Sequence, residues 1–240
     1  MKWQGRRGSD NVEDRRGMST GTKVAGGGIG TLVIILLVYL LGGDPSGILQ
    51  ESGSGQASGP VEATEEENQM AQFVSVVLAD TEEVWSKIFA QSGATYRKPT
   101  LVLFRDQVQS ACGYATSASG PFYCPGDEKV YIDLSFFDDL RARYGVYGDF
   151  AIAYVVAHEI GHHVQNQMGI LEEVQNERQR LSEVRGNQLT VRLELQADFL
   201  AGVWAHYAQE MFDSIEEGDI EEALNAAASI GDDVLQKKYQ

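Results

Sequence analysis

The longest unbroken apolar run lies near the start of the chain. From Val24 to Leu41 the sequence VAGGGIGTLVIILLVYLL holds no charged side chain, and Gly42 and Gly43 extend it to about the twenty residues that span a bilayer core. A transmembrane helix is therefore expected over 24–43. Residues 44–63 are rich in Gly, Ser and Pro and poor in large apolar groups, so they read as a flexible linker. Behind it the pattern turns helical. Met70, Phe73, Val74, Val77, Leu78, Val84, Trp85, Ile88 and Phe89 recur at helical spacing, and Thr64 with Glu67 has the spacing of a capping box, which predicts a helix to about Gly93. The runs TLVLF at 100–104 and VYIDL at 130–134, each bounded by breakers, predict two strands, the second a candidate edge for an extended peptide. A short helix is expected from Ser135 to Arg143 and a longer one from Phe150 to about Met168, capped by Asp149 and closed by Gly169. Two or three more helices fill the remainder to Gln240.

Composition narrows the class. With 240 residues, 43% hydrophobic and 22% charged, the chain has room for one sizeable globular domain with appendages. Its net charge of -16 is unevenly spread: residues 1–23 carry six Lys/Arg against three Asp/Glu, and residues 44–240 carry thirteen against thirty-two. So acidic a body lacks the basic footprint of a nucleic-acid binder. About the apolar run, the asymmetry predicts a cytoplasmic basic N-terminus over 1–23 and a domain over 64–240 on the periplasmic or extracellular side of the cell membrane, anchored by a single pass. A cleaved leader fits less well, because Leu40-Leu41-Gly42-Gly43 is a poor cleavage site. In that oxidising compartment Cys112 and Cys124, brought together as strand partners by a Gly120-Pro121 turn, are expected to form a disulfide, the alternative being two buried thiols.

The candidate chemistry sits in AHEIGHH. His158 and His162 are four residues apart and share one helical face, so two imidazoles can hold one metal. Glu159 completes H-E-x-x-H, in which the glutamate takes a proton from a zinc-activated water. A third protein ligand is needed. His163 points about 100° away round the helix, whereas Glu194 in ELQAD can supply it. Asp198, one turn further, can accept the second ring N–H of a ligating histidine. The flanks Leu193, Leu195, Ala197, Phe199, Leu200, Ala201, Val203 and Trp204 suggest that these carboxylates lie on a buried helix. His206 and Tyr207 are candidates to donate to an oxyanion, or simply packing and surface residues.

The opening MKWQGRRGSDNVEDRRG, the block ACGYATSASGPFYCPGDEKVYIDLSFF, the motif AHEIGHHVQNQMG and the stretch ELQADFLAGVWAHY together resemble the putative neutral zinc metallopeptidase family of bacterial membrane-anchored proteins. The resemblance runs from Met1 to about Asp233 and implies an α+β, zincin-like domain, mostly helical with a small sheet. It also implies one Zn2+ on His158 and His162, a catalytic Glu159, and Glu194 with Asp198 as the downstream acidic pair. Two features depart from the pattern: Phe199 stands where many relatives carry a cysteine, and relatives continue past Gln240 into a Thr-His-Gly element. The expected function is a membrane-anchored zinc metallopeptidase, an endopeptidase acting on protein or peptide substrates. The alternatives are a non-catalytic zinc-stabilised envelope module and a zinc hydrolase acting on a non-peptide bond.

Overall fold

The computed structural model describes residues 1–17 and 63–239, so the expected membrane span and nearly all of the linker lie outside the described residues. Among the described residues no helix is long and apolar enough to cross a membrane. The fold is mixed α+β, mostly helical with a small sheet. In chain order come β1 (Val12–Asp14), α1 (Glu65–Gln91), β2 (Thr100–Phe104), β3 (Gln107–Ser110), β4 (Gly113–Thr116), β5 (Phe122–Cys124) and β6 (Lys129–Asp133). Five helices follow: α2 (Ser135–Tyr144), α3 (Asp149–Gln167), α4 (Ile170–Arg178), α5 (Glu183–Phe212) and α6 (Asp219–Tyr239).

The capping box at the start of α1 is formed in full: the Thr64 side chain accepts from the Glu67 backbone N–H, and the Glu67 carboxylate accepts from the Thr64 backbone N–H. Four strands make one sheet in the order β1-β2-β6-β5, parallel except for β5, while β3 and β4 form a separate hairpin. Strand β2 lies between two neighbours and is buried from Leu101 to Phe104, which explains an apolar run without alternation. The VYIDL strand is likewise interior, paired with β2 on one side and β5 on the other, so it is not the edge expected of it. Cys112 and Cys124 are bridged, yet not as strand partners: Cys112 lies in the β3–β4 turn and Cys124 ends β5, which pairs with β6. At the start of α2 the Asp133 carboxylate accepts from the backbone N–H and the hydroxyl of Ser135.

The body that begins at Thr64 takes in a second, distant piece of the chain. Residues 1–15 fold into the same compact unit as residues from Thr64 onward. Strand β1 adds in parallel to β2, with Val12 opposite Leu101 and Asp14 opposite Leu103. The Lys2 N–H donates to the Ser214 carbonyl at 2.8 Å. Arg6 grips Asp80 of α1 through two hydrogen bonds of 2.7 and 2.6 Å, and its guanidinium lies 4.5 Å from the centroid of the Phe212 ring. Glu82, also on α1, accepts from the Ser9 hydroxyl and from the Asn11 amide at 2.7 Å, and Lys98 reaches it at 3.1 Å. The Asp80 and Glu82 side chains are only 5% and 1% exposed. Two carboxylates built into the buried face of a helix thus take partners from a segment that three residues, VED, gave no sequence signal for pairing.

Burial pushes the Asp80 carboxyl up to about 6, and the Arg6 guanidinium holds it from going higher. A folded-state value above the unfolded one means stability present at low pH and lost as pH rises through the folded value. Arg6→Ala should therefore cost about 3–5 kcal/mol at pH 8, where Asp80 is left charged and unpaired, and much less at pH 5, where it takes up a proton. Urea denaturation at the two pH values measures this, and an equal loss at both would contradict it.

Candidate metal centre

His158 and His162 stand one turn apart on α3, the helix against which α1, α5 and α6 all pack. Their rings are 4.8 Å apart and nearly perpendicular. From α5, Glu194 brings one carboxylate oxygen, Oε2, to 3.4 Å from Nε2 of His158 and also to 3.4 Å from Nε2 of His162. Ligands at about 2.0–2.2 Å from a tetrahedral ion lie about 3.4 Å from one another, so both Glu194 spacings would suit a shared zinc ion. Among the described residues, His158, His162 and Glu194 are the group able to hold a metal ion, with ligand atoms within 4.8 Å of one another.

Gly161, inside the motif, allows the two helices to meet. A methyl group there would lie 2.9 Å from the carbonyl oxygen and 3.1 Å from Cα of Ala197, both backbone atoms of α5. Since Ala197 sits between Glu194 and Asp198, any side chain at 161 displaces both acids.

The remaining ring nitrogens are held by the protein. The Nδ1–H of His158 donates to Asp198 at 2.8 Å, and the same carboxylate oxygen accepts from the Tyr154 hydroxyl. For His162, Nδ1 lies 2.9 Å from the Gln165 carbonyl oxygen. Gln165, itself fully buried, donates to the Leu193 backbone carbonyl at 2.7 Å and to Gln196 at 3.0 Å, tying α3 to α5 next to Glu194. With both Nδ1 atoms engaged, both Nε2 atoms are left to face Glu194, where a metal would replace their protons. Burial opposes charge on His158, but hydrogen bonds to Asp198 and Glu194 override it and raise its pKa to about 10. His162 moves upward too: burial opposes it and Glu194 prevails. Burial would raise Glu194, and the two imidazoles instead hold it well below the usual carboxylate range. Asp198 is lowered in the same way: against the effect of burial, hydrogen bonds from His158 and Tyr154 favour its anion.

Glu159 follows His158 on α3 and is 8% exposed. His163 is fully buried on another flank, where Nε2 donates to the Arg97 carbonyl at 2.6 Å and Nδ1 accepts from the Tyr123 hydroxyl at 3.0 Å. It pins β5 to the helix and takes no part in the metal group. His206 is mostly exposed and pairs with Glu210, while Tyr207 packs on the core, so neither joins the site. Helix α5 is less buried than its apolar flanks suggested. Ala197, Ala201 and Trp204 are inside, whereas Leu195 and Phe199 are 61% and 68% exposed, and Glu194 and Asp198 are open by more than a third. Sequence reasoning missed Gln165 and Tyr154, although their spacings from the histidines, three residues after His162 and four before His158, place them on that helical face.

A family model described as "Putative neutral zinc metallopeptidase" matches residues 1–240. The chain belongs to this family. "Uncharacterized protein YpfJ" of Escherichia coli (strain K12) is 45% identical over 249 residues, covering 100% of this chain and 86% of that protein. "Uncharacterized protein Mb2605" of Mycobacterium bovis is 44% identical over 153 residues, 60% of this chain and 50% of that one. No solved structure matches. The family's zinc fits the donor set found here: two imidazoles and a carboxylate oxygen 3.4 Å from each Nε2, each imidazole held by a second partner.

Gly161→Ala should cost about 1–3 kcal/mol of stability through overpacking and weaken zinc binding measurably, although residue 161 carries no ligand. Gly202→Ala is the control, since a methyl group there meets nothing within 4 Å and should be neutral or stabilising. Competition with a chelating zinc indicator reads the affinity. Unchanged affinity in Gly161→Ala would show that the α3–α5 approach does not set the site.

Proposed function

We propose that this chain is a zinc-dependent peptidase cutting within polypeptides, with His158, His162 and Glu194 as protein ligands and Glu159 as general base. The observation that carries the reading is the single Glu194 oxygen 3.4 Å from both imidazole Nε2 atoms, with a glutamate immediately after the first histidine. Zinc, when bound, supplies a Lewis acid that polarises a carbonyl and lowers the pKa of water. Everything else falls to the chain. The Glu159 carboxylate accepts a proton from the attacking water and passes it to the leaving amine nitrogen. Asp198 and Gln165, each accepting from an Nδ1–H, keep the imidazoles in one tautomer and one orientation. Tyr154, donating to Asp198, holds that carboxylate in turn. A purely structural ion would need no base beside it, which favours catalysis. The exposed apolar pair Leu195 and Phe199 next to the two acids offers a seat for an apolar side chain, which favours a peptide substrate.

The test is a series on the purified protein, read as metal content and as hydrolysis of an unfolded protein. His158→Ala should lose stoichiometric zinc. Glu159→Gln should keep zinc and lose turnover by about 10²–10⁴-fold, and Asp198→Asn should weaken affinity or turnover by about 10–100-fold. Zinc lost from Glu159→Gln to the same extent as from His158→Ala would make Glu159 a ligand. A zinc-loaded wild type inert on every polypeptide would leave a zinc-stabilised module.

A further inference from the structure

We infer that residues 1–15 and residues 64–239 lie on the same side of any membrane that holds this protein, and that the basic N-terminal segment is built to dock on its own acidic body. A single crossing by the apolar run at 24–43 would put its two flanks on opposite faces, and the fold does not permit that. Strand β1 completes the sheet beside β2, and without it a strand buried from Leu101 to Phe104 would present a bare edge. The eight residues 16–23 extend to at most about 29 Å, short of the roughly 40 Å of a bilayer with its headgroups, so the segment cannot reach back from the far face.

The charges explain the asymmetry differently from a topology signal. Six Lys/Arg precede the apolar run. Three of them pair with carboxylates of the body, Lys2 with Asp213, Arg6 with Asp80 and Arg7 with Glu83, while Arg15 pairs within the segment with Glu13, which also reaches Lys129 of the body. Cations neutralised by carboxylates of the same unit are no longer free to hold the segment in the cytoplasm. Their sequence position looks like an orientation signal, whereas their contacts are those of a docking segment. The Cys112–Cys124 bridge assigns the shared side to an oxidising compartment.

Two measurements on the full-length chain in bacterial membranes test this. Gln4 and Gln91 are both exposed, one in the docked segment and one at the end of α1. Gln4→Cys and Gln91→Cys, made singly, should react alike with a membrane-impermeant maleimide on spheroplasts, both before lysis. Labelling of one before lysis and of the other only afterwards would overturn the inference. The second probe uses the close approach at Gly8, where an added Cβ would lie 3.4 Å from Cβ of Ser75, close to the separation spanned by a disulfide. Gly8→Cys with Ser75→Cys should give a bridge between residues 8 and 75 in peptide maps after mild oxidation of the membranes. Absence of that bridge in protein whose Cys112–Cys124 pair is intact would also overturn the inference.

Discussion

The site depends on how closely two helix backbones approach. Helices normally pack with axes about 8–10 Å apart, the spacing being set by the side chains between them. Beside the histidines α3 meets α5 at Gly161 and Ala197, both buried, and Gly161 leaves no room for even a methyl group. Glu194 has a short side chain, and only this proximity lets one of its oxygens sit equally close to two imidazoles. Gln165 reinforces the contact by donating across it to the Leu193 carbonyl while accepting from His162. The motif therefore carries its own packing instruction: the glycine between Ile160 and His162 belongs to the geometry as much as the histidines do.

Behind α3 the scaffold is held by a second set of contacts, polar where the first is steric. Helix α1 packs on α3, and its buried carboxylates Asp80 and Glu82 are satisfied largely from the first eleven residues. Removing a partner from a buried ion pair costs several kcal/mol because a charge is left without compensation. That asymmetry makes the N-terminal segment part of the domain despite the long stretch of chain between them. The acidic bias of the body and the basic bias of its first residues are two halves of one interface.

Much was legible in the sequence because it rested on local rules. The capping box at Thr64 and Glu67, the helical period behind it, the two apolar strands and the i, i+4 histidines each depend on a few neighbouring residues, and each appears where its spacing put it. What failed to show was non-local. Strand β1 is three residues whose only reason to be extended is β2, almost ninety positions away. An interior and an edge strand look alike when both are apolar, so the run at 130–134 carries no sign that β6 has a neighbour on each side. The flanks of Glu194 suggest a buried helix only if Leu195 and Phe199 are core, yet both are exposed. Charge sums are non-local in a related way: the sum over a segment says nothing about which partner each charge has found.

The central claim is that one metal ion is held by two imidazole nitrogens of α3 and one carboxylate oxygen of α5. X-ray absorption at the zinc edge of the metal-loaded protein tests it most directly, together with the same spectrum of Glu194→Gln. The account predicts two histidine nitrogens and oxygen ligands at about 2.0–2.2 Å with no sulfur, and a disturbed oxygen shell in the variant. A third imidazole in the wild-type spectrum, or a spectrum that Glu194→Gln leaves unchanged, would place the ligand elsewhere and contradict it.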